Sequence, residues 1–190
     1  MLAYIKVEVK DKRGRILSSE RHPSRSFVRG YNHLLCAQFW SSNSYDGIQS
    51  KNTDGVLQNF RNTTYPLRAN GGIGFTTYGI RIGTDNTPVD IEDFALVTPI
   101  VEGGGGGQME HRAVTFNFIG VVANICSFEV ERIIDNNSGA QIDVREAALY
   151  GQGRTPAAGF QYYCMSRDLV VEDVPNLGLI TVTYTVRVVA

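Results

Sequence analysis

Hydrophobic and polar residues alternate with a period of two through most of the chain, which is the signature of half-buried β-strands. Near the start, Ile5, Val7 and Val9 alternate with Lys6, Glu8 and Lys10. Asp11-Lys12-Arg13-Gly14 then supplies a turn, so residues 2–20 are expected to form a hairpin. A helical period appears over 25–40, where Phe27, Val28, Tyr31, Leu34, Leu35 and Phe39 form one apolar stripe. Ser24 or Ser26 is placed to accept the first free N–H groups, and Trp40 with the Ser-Ser-Asn-Ser after it ends the run. Residues 41–72 are polar and rich in turn signals, with a short strand expected near 56–60.

From residue 73 the period returns to two. Tyr78, Ile80 and Ile82 alternate with Gly79 and Arg81; Val114, Phe116 and Phe118 alternate with Thr115 and Asn117. Cys126, Phe128 and Val130 alternate with Ser127, Glu129 and Glu131, and residues 162–170 make another run. The last strand is the cleanest: Ile180, Val182, Tyr184, Val186 and Val188 face one way, while Thr181, Thr183, Thr185 and Arg187 face the other. Short strands separated by turns predict a mainly β chain, an antiparallel sandwich of jelly-roll-like or immunoglobulin-like type, with one N-terminal helix at about 25–40. Residues 73–190 are expected to be the sandwich core. Residues 1–72 are expected to contribute a hairpin, the helix and a long polar loop packed on the same domain.

Composition narrows the function classes. The chain has 190 residues, 43% hydrophobic and 19% charged, which suits one globular domain. Its net charge is −1, with 18 basic against 19 acidic residues, so no electrostatic footprint for nucleic acid is visible. Cys36, Cys126 and Cys164 are widely spaced and are read as small buried hydrophobes rather than a metal or redox motif. The opening residues do not read as a signal peptide, and no apolar run is long enough for a membrane helix.

Candidate chemistry is sparse. His22, His33 and His111 have no metal-binding spacing, and no nucleophile elbow is present. Asp85, Asp90, Glu92 and Asp93 are weak calcium candidates; the alternative is that Asp85-Asn86 makes a turn and Asp90 caps a short turn at 91–94. The glycine run Gly103, Gly104, Gly105, Gly106 and Gly107 lacks the Lys-Ser/Thr and helix of a phosphate cradle, so it is read as a flexible loop or as an interface element. Charges at 110–112, 129–132 and 144–146 are read as a solvated face or as interface register. Tyr45 and Tyr65 in the polar loop, and the Thr181, Thr183, Thr185 and Arg187 face, join the glycine run as interface candidates. No catalytic residues, cofactor, nucleic-acid partner or small-molecule ligand are expected.

The stretch Tyr78-Gly79-Ile80-Arg81-Ile82-Gly83-Thr84-Asp85-Asn86-Thr87-Pro88-Val89 resembles a strand-and-turn motif, GIxIGTGxTPV, of tailed-bacteriophage structural proteins. Asp85 stands where that motif usually has glycine. The likeness continues through Gly107-Gln108-Met109-Glu110, through Phe128-Glu129-Val130-Glu131-Arg132 with Asn136-Asn137-Ser138-Gly139, and through Val144-Arg145-Glu146-Ala147-Ala148-Leu149-Tyr150. It closes with Met165-Ser166-Arg167-Asp168-Leu169-Val170, Val174-Pro175-Asn176 and the last strand, so it spans about 78–188. The resemblance implies a virion-associated β-sandwich found in tails, necks, baseplates or fibres, with no catalytic residues.

The expected function is therefore a structural virion subunit that assembles with itself and with other virion proteins, made in the host cytoplasm. A capsid decoration protein, a receptor- or carbohydrate-binding sandwich and a subunit of an extracellular filament are the alternatives. If the terminal strand is integral to the core, deleting residues 184–190 abolishes soluble folding. Far-ultraviolet circular dichroism of the truncated chain checks this, and a well-folded product would make that strand peripheral.

Overall fold

The computed structural model describes residues 2–24, 28, 31, 49–59, 67–122, 125–155 and 159–189. The described residues are mainly β with almost no helix. Alternation becomes strand where predicted at the N-terminus: β1 (Leu2–Lys10) and β2 (Ile16–Ser24) form the hairpin. Ala3, Ile5, Val7 and Val9 are buried, and the residues between them are partly exposed. A short hairpin follows, β3 (Gln49–Lys51) with β4 (Leu57–Asn59). The remaining strands are β5 (Gly79–Gly83), β6 (Val101–Glu102), β7 (Gln108–His111), β8 (Thr115–Val122), β9 (Ile125–Asp135), β10 (Ile142–Thr155), β11 (Gly159–Val174) and β12 (Leu179–Val189).

These strands form a seven-stranded sheet in the order β2-β1-β12-β9-β7-β6, with β8 pairing beside β7 on the same edge of β9. They also form a three-stranded sheet in the order β11-β10-β5. Pairing is antiparallel except between β6 and β7, so the larger sheet is mixed. β12 is central, flanked by β1 and β9 along its whole length. One apolar cluster takes residues from both sheets: Ile5, Val7, Val182, Tyr184, Val130 and Ile134 from the large one, and Ile80, Ile82, Val144, Leu149 and Met165 from the small one. Each such aliphatic side chain contributes about 1.5–3 kcal/mol by leaving water.

The helix expected over 25–40 is not seen. Of that range only Val28 and Tyr31 are described, and there the Val28 N–H donates to the Met165 carbonyl on β11, 3.2 Å away. Val28 is buried against Cys164 and Tyr150, and the rest of the stripe, Phe27, Leu34, Leu35 and Phe39, lies outside the described residues. His33, Cys36, Tyr45 and Tyr65 lie outside the described residues.

Polar groups fasten the two sheets along both flanks of the core. On one flank, Arg132 of β9 is fully buried and donates to the carbonyls of Arg112, Ile80, Gly72 and Phe75 at 2.6–3.0 Å. It thereby ties the large sheet to β5 and to the segment preceding it. Burial pulls its pKa down to about 10, so it stays charged at neutral pH. The sequence reading put this arginine on a solvated face or in an interface register; it is inside, and carbonyl coordination is what allows it there.

On the opposite flank, the Ser18 hydroxyl donates to Glu172, and Ser24 donates to Asp168 at 3.0 Å, linking β2 to β11. Ser166 donates to the same Asp168 oxygen at 2.9 Å. Tyr184 lies beside this cluster, and burial, with the Asp168 charge next, raises its pKa well above the ordinary value. At one end, the buried Asn136 amide donates to Val174, Pro175 and Ala140, joining the β9–β10 loop to the β11–β12 turn.

His111 shows what this interior costs. Its Nδ1–H donates to Glu102 at 2.7 Å, while Nε2 is buried without a partner among the described residues. Burial, then the nearby Arg132 charge, lowers its pKa to about 4. The unfolded imidazole takes a proton near pH 6.5, the folded one only near 4, so protons favour the unfolded chain between those values. Unfolding free energy should therefore fall as pH drops from 6.5 to 4, by about 3 kcal/mol from this residue. Denaturant midpoints across that window check it: His111→Gln should have a shallower acid slope, and identical slopes would remove His111 as the cause.

Candidate functional site

Residues 84–98 fold back over the outer face of the small sheet, and buried charges hold them there. Arg167 of β11 and Glu146 of β10 are both 0% exposed and pair at 2.7 Å. Arg167 also donates to Asp93 at 2.9 Å and to the Thr87 carbonyl at 3.0 Å. Glu146 accepts from the backbone N–H groups of Thr98 (2.9 Å) and Val97 (3.2 Å). Desolvation pulls the Arg167 pKa down, but the hydrogen bonds to Glu146 and Asp93 outweigh it and leave the pKa raised. The Tyr150 hydroxyl accepts from the Leu96 N–H at 2.6 Å. Covered on both faces, β10 is buried without a break from Glu146 to Gly151.

Gly83 is glycine because of this pair. A Cβ there would sit 2.4 Å from the Glu146 carboxylate and 2.6 Å from the Thr98 carbonyl. Gly79 has φ 96°, and a Cβ on it would meet Val114 at 2.8 Å. Both glycines belong to the stretch that resembles the phage motif.

The four acidic calcium candidates do not share one cluster of ligands. Asp93 is committed to Arg167, and Asp85 accepts from the Thr87 N–H at 2.7 Å. Asp90 accepts from the Glu92 N–H at 2.8 Å, while its own N–H donates to Asp93. Glu92 is exposed. Among the described residues, no three His, Cys, Asp or Glu side chains converge as a metal site.

The threonine face is partly self-satisfied. Thr183 donates to Glu131 at 3.2 Å and Thr185 to Glu129 at 3.3 Å, and both threonines are buried under their neighbours. Arg187 stacks over the Tyr4 ring at 4.2 Å and donates to its hydroxyl; Thr181 is partly exposed. Gly103 to Gly107 form a compact connection between the parallel strands β6 and β7, braced by a Gly105 N–H bond to the Gln108 side chain at 3.1 Å. Gly104, Gly105, Gly106 and Gly107 are exposed, and Gly103 is partly so.

The two outer edges of the large sheet differ. β2 carries Glu20, Arg21, His22 and Pro23, which are ordinary protections of an edge strand. β8 is Thr-Phe-Asn-Phe-Ile-Gly-Val-Val, with neither charge nor proline, and among the described residues it pairs with β9 alone. Phe116 on β8 is 50% exposed and Phe128 on β9 is 38% exposed. By alternation both share a face with the buried Val130 and Ile134, so the apolar inner face continues beyond its cover. Cys126, expected to be buried, is exposed on this same face; Cys164 is buried, and burial raises its pKa.

A groove of about 380 Å³ opens on the outer face of the small sheet. Arg81, Tyr150 and Tyr162 form its floor, the loop residues Leu96 and Pro99 one wall, and Thr53, Asp54, Thr76 and Thr77 the others. Asn52 fixes the β3–β4 turn by a 2.7 Å bond to Gln161, and the Thr53 N–H donates to the Tyr162 carbonyl at 2.9 Å. Nothing in the sequence pattern announced this groove, because its residues come from five separate segments.

Arg167→Met should cost about 3–5 kcal/mol, because it strands Glu146 and Asp93 without their cation. Chemical denaturation checks this. The double variant Arg167→Met/Glu146→Gln should recover part of the loss, and no recovery would show that the pair is not coupled.

Comparison with family models, with curated proteins and with solved structures finds no match for this chain.

Proposed function

We propose that the chain is a structural subunit of a tailed-bacteriophage virion, a largely antiparallel β-sandwich of jelly-roll-like or immunoglobulin-like type that works by protein–protein assembly. The observation that carries this reading is the uncharged edge strand β8 with Phe116 and Phe128 exposed beside it. An unprotected edge is a template for adding a strand from another chain, and exposed aromatic side chains supply the contact area that stabilises the join. The occupant proposed is a second copy of the chain, since a net charge of −1 gives little long-range repulsion between copies.

The ordered run of motifs over 78–188 supports the virion assignment. Its residues include the fasteners of the fold: Gly79, Gly83, Arg132, Asn136, Glu146, Arg167 and Asp168. A likeness concentrated on such residues is a likeness of architecture, and it points to a scaffold. The station in the particle, whether tail, neck, baseplate or fibre, follows from which neighbours the edges meet. A capsid decoration protein is the alternative, and it would be dispensable for particle formation.

Light scattering over a concentration series tests the assembly reading. The expected result is a defined oligomer that forms as concentration rises, and Phe116→Lys should weaken association by about tenfold or more, worth at least ~1.4 kcal/mol. Phe116 is half exposed, so the thermal midpoint of the variant should hardly move. A monomer at every concentration would sink self-assembly through β8.

A further inference from the structure

We propose that the groove on the outer face of the three-stranded sheet binds a neutral pyranose sugar. The sequence reading expected no small-molecule ligand and kept a carbohydrate-binding sandwich as an alternative; the proposal stands independently of self-assembly. A volume of about 380 Å³ falls in the ~300–1,000 Å³ range of small-molecule sites.

The lining combines the two things a sugar requires. A pyranose has a face of C–H groups and an edge of hydroxyls, so it needs an aromatic surface and converging polar groups. Tyr162 lines the groove and supplies the aromatic surface, its ring braced against Tyr78 with centroids 6.0 Å apart and planes inclined by 4°. Arg81 sits over the Tyr150 ring at 5.9 Å and spends one Nη2 bond on the Ile100 carbonyl at 3.3 Å. Arg81 lines the groove and offers guanidinium donors to sugar hydroxyl oxygens. Asp54 and the hydroxyls of Thr76 and Thr77 provide acceptors and further donors for sugar hydroxyls.

The charge pattern disfavours charged small ligands. An anion attracted by Arg81 would face the Asp54 carboxylate, and a cation attracted by Asp54 would face Arg81. The site is also held in place: Asn52 accepts from the Asp54 and Val56 N–H groups at 3.1 and 2.8 Å, and Lys51 lies over the Phe94 ring at 5.3 Å. The turn that carries Asp54 is therefore set before any ligand arrives, which lowers the entropy cost of binding.

The test is saturation-transfer NMR on the full chain, with the methyl glycosides of glucose, galactose, mannose and N-acetylglucosamine, and with glucuronate as the charged control. At least one neutral glycoside is expected to receive saturation, strongest on the protons of one ring face. Tyr162→Ala and, separately, Asp54→Asn should each weaken its affinity by about tenfold. Asp54 is exposed, so the second variant keeps the proposal testable if the first fails to fold. No transfer to any neutral glycoside, stronger binding of glucuronate than of all of them, or binding unchanged in Asp54→Asn would each overturn the proposal.

Discussion

A guanidinium cannot be left in an apolar interior without acceptors, and the architecture of this protein is arranged around two that are fully buried. Arg132 is surrounded by backbone carbonyls from segments far apart in sequence, and this coordination draws β9, β5 and residues 72–75 together. Arg167 is satisfied by two carboxylates and one carbonyl, which brings residues 84–98 down onto β10 and β11. Apolar burial drives the two sheets together without directional preference. The arginines add direction: only one placement of each connecting segment satisfies them, and a half-satisfied buried charge costs several kcal/mol.

The same economy accounts for the other buried polar groups. Asp168 receives Ser24 and Ser166, Glu172 receives Ser18, and Asn136 bridges two turns. His111 stays neutral because Arg132 and burial both oppose its proton. Most ionisable groups in the interior are thus occupied in joining one element to another. Among the described residues, what remains for interaction is on the surface: a strand edge without charge or proline, an apolar face with exposed Phe116 and Phe128, and a groove of mixed aromatic and polar lining.

Those surface features are asymmetric, and the asymmetry has a physical meaning. β2 carries charges and proline and is joined to β11 by polar bonds, so that flank of the molecule is closed. β8, on the other side of the same sheet, offers an uncharged edge. If the chain assembles as proposed, one closed flank and one open one give it a defined direction in which to add a partner. Two open flanks would favour unlimited sheet growth. The sugar-sized groove lies on the outer face of the other sheet, so its contents and a partner at β8 would not compete for the same strands.

Alternation along the chain determined which segments are strands and which side chains of β1, β9 and β12 face the core, because a period of two leaves a strand only two faces. The ordered glycines, acids and arginines over 78–188 were legible as a resemblance, though not as the fasteners they are. Strand order, the parallel β6–β7 pair and the burial of Arg132, Glu146 and Arg167 were not legible. A charged residue inside a strand looks the same in sequence whether it faces water or a ring of carbonyls. The apolar stripe over 25–40 suggested a helix, which is not seen among the described residues; the Val28 N–H there donates to the Met165 carbonyl of β11, a contact that local period does not encode. The groove and the exposed end of the apolar face came only from tertiary structure, because each depends on residues that meet in space and on how far one sheet covers the other.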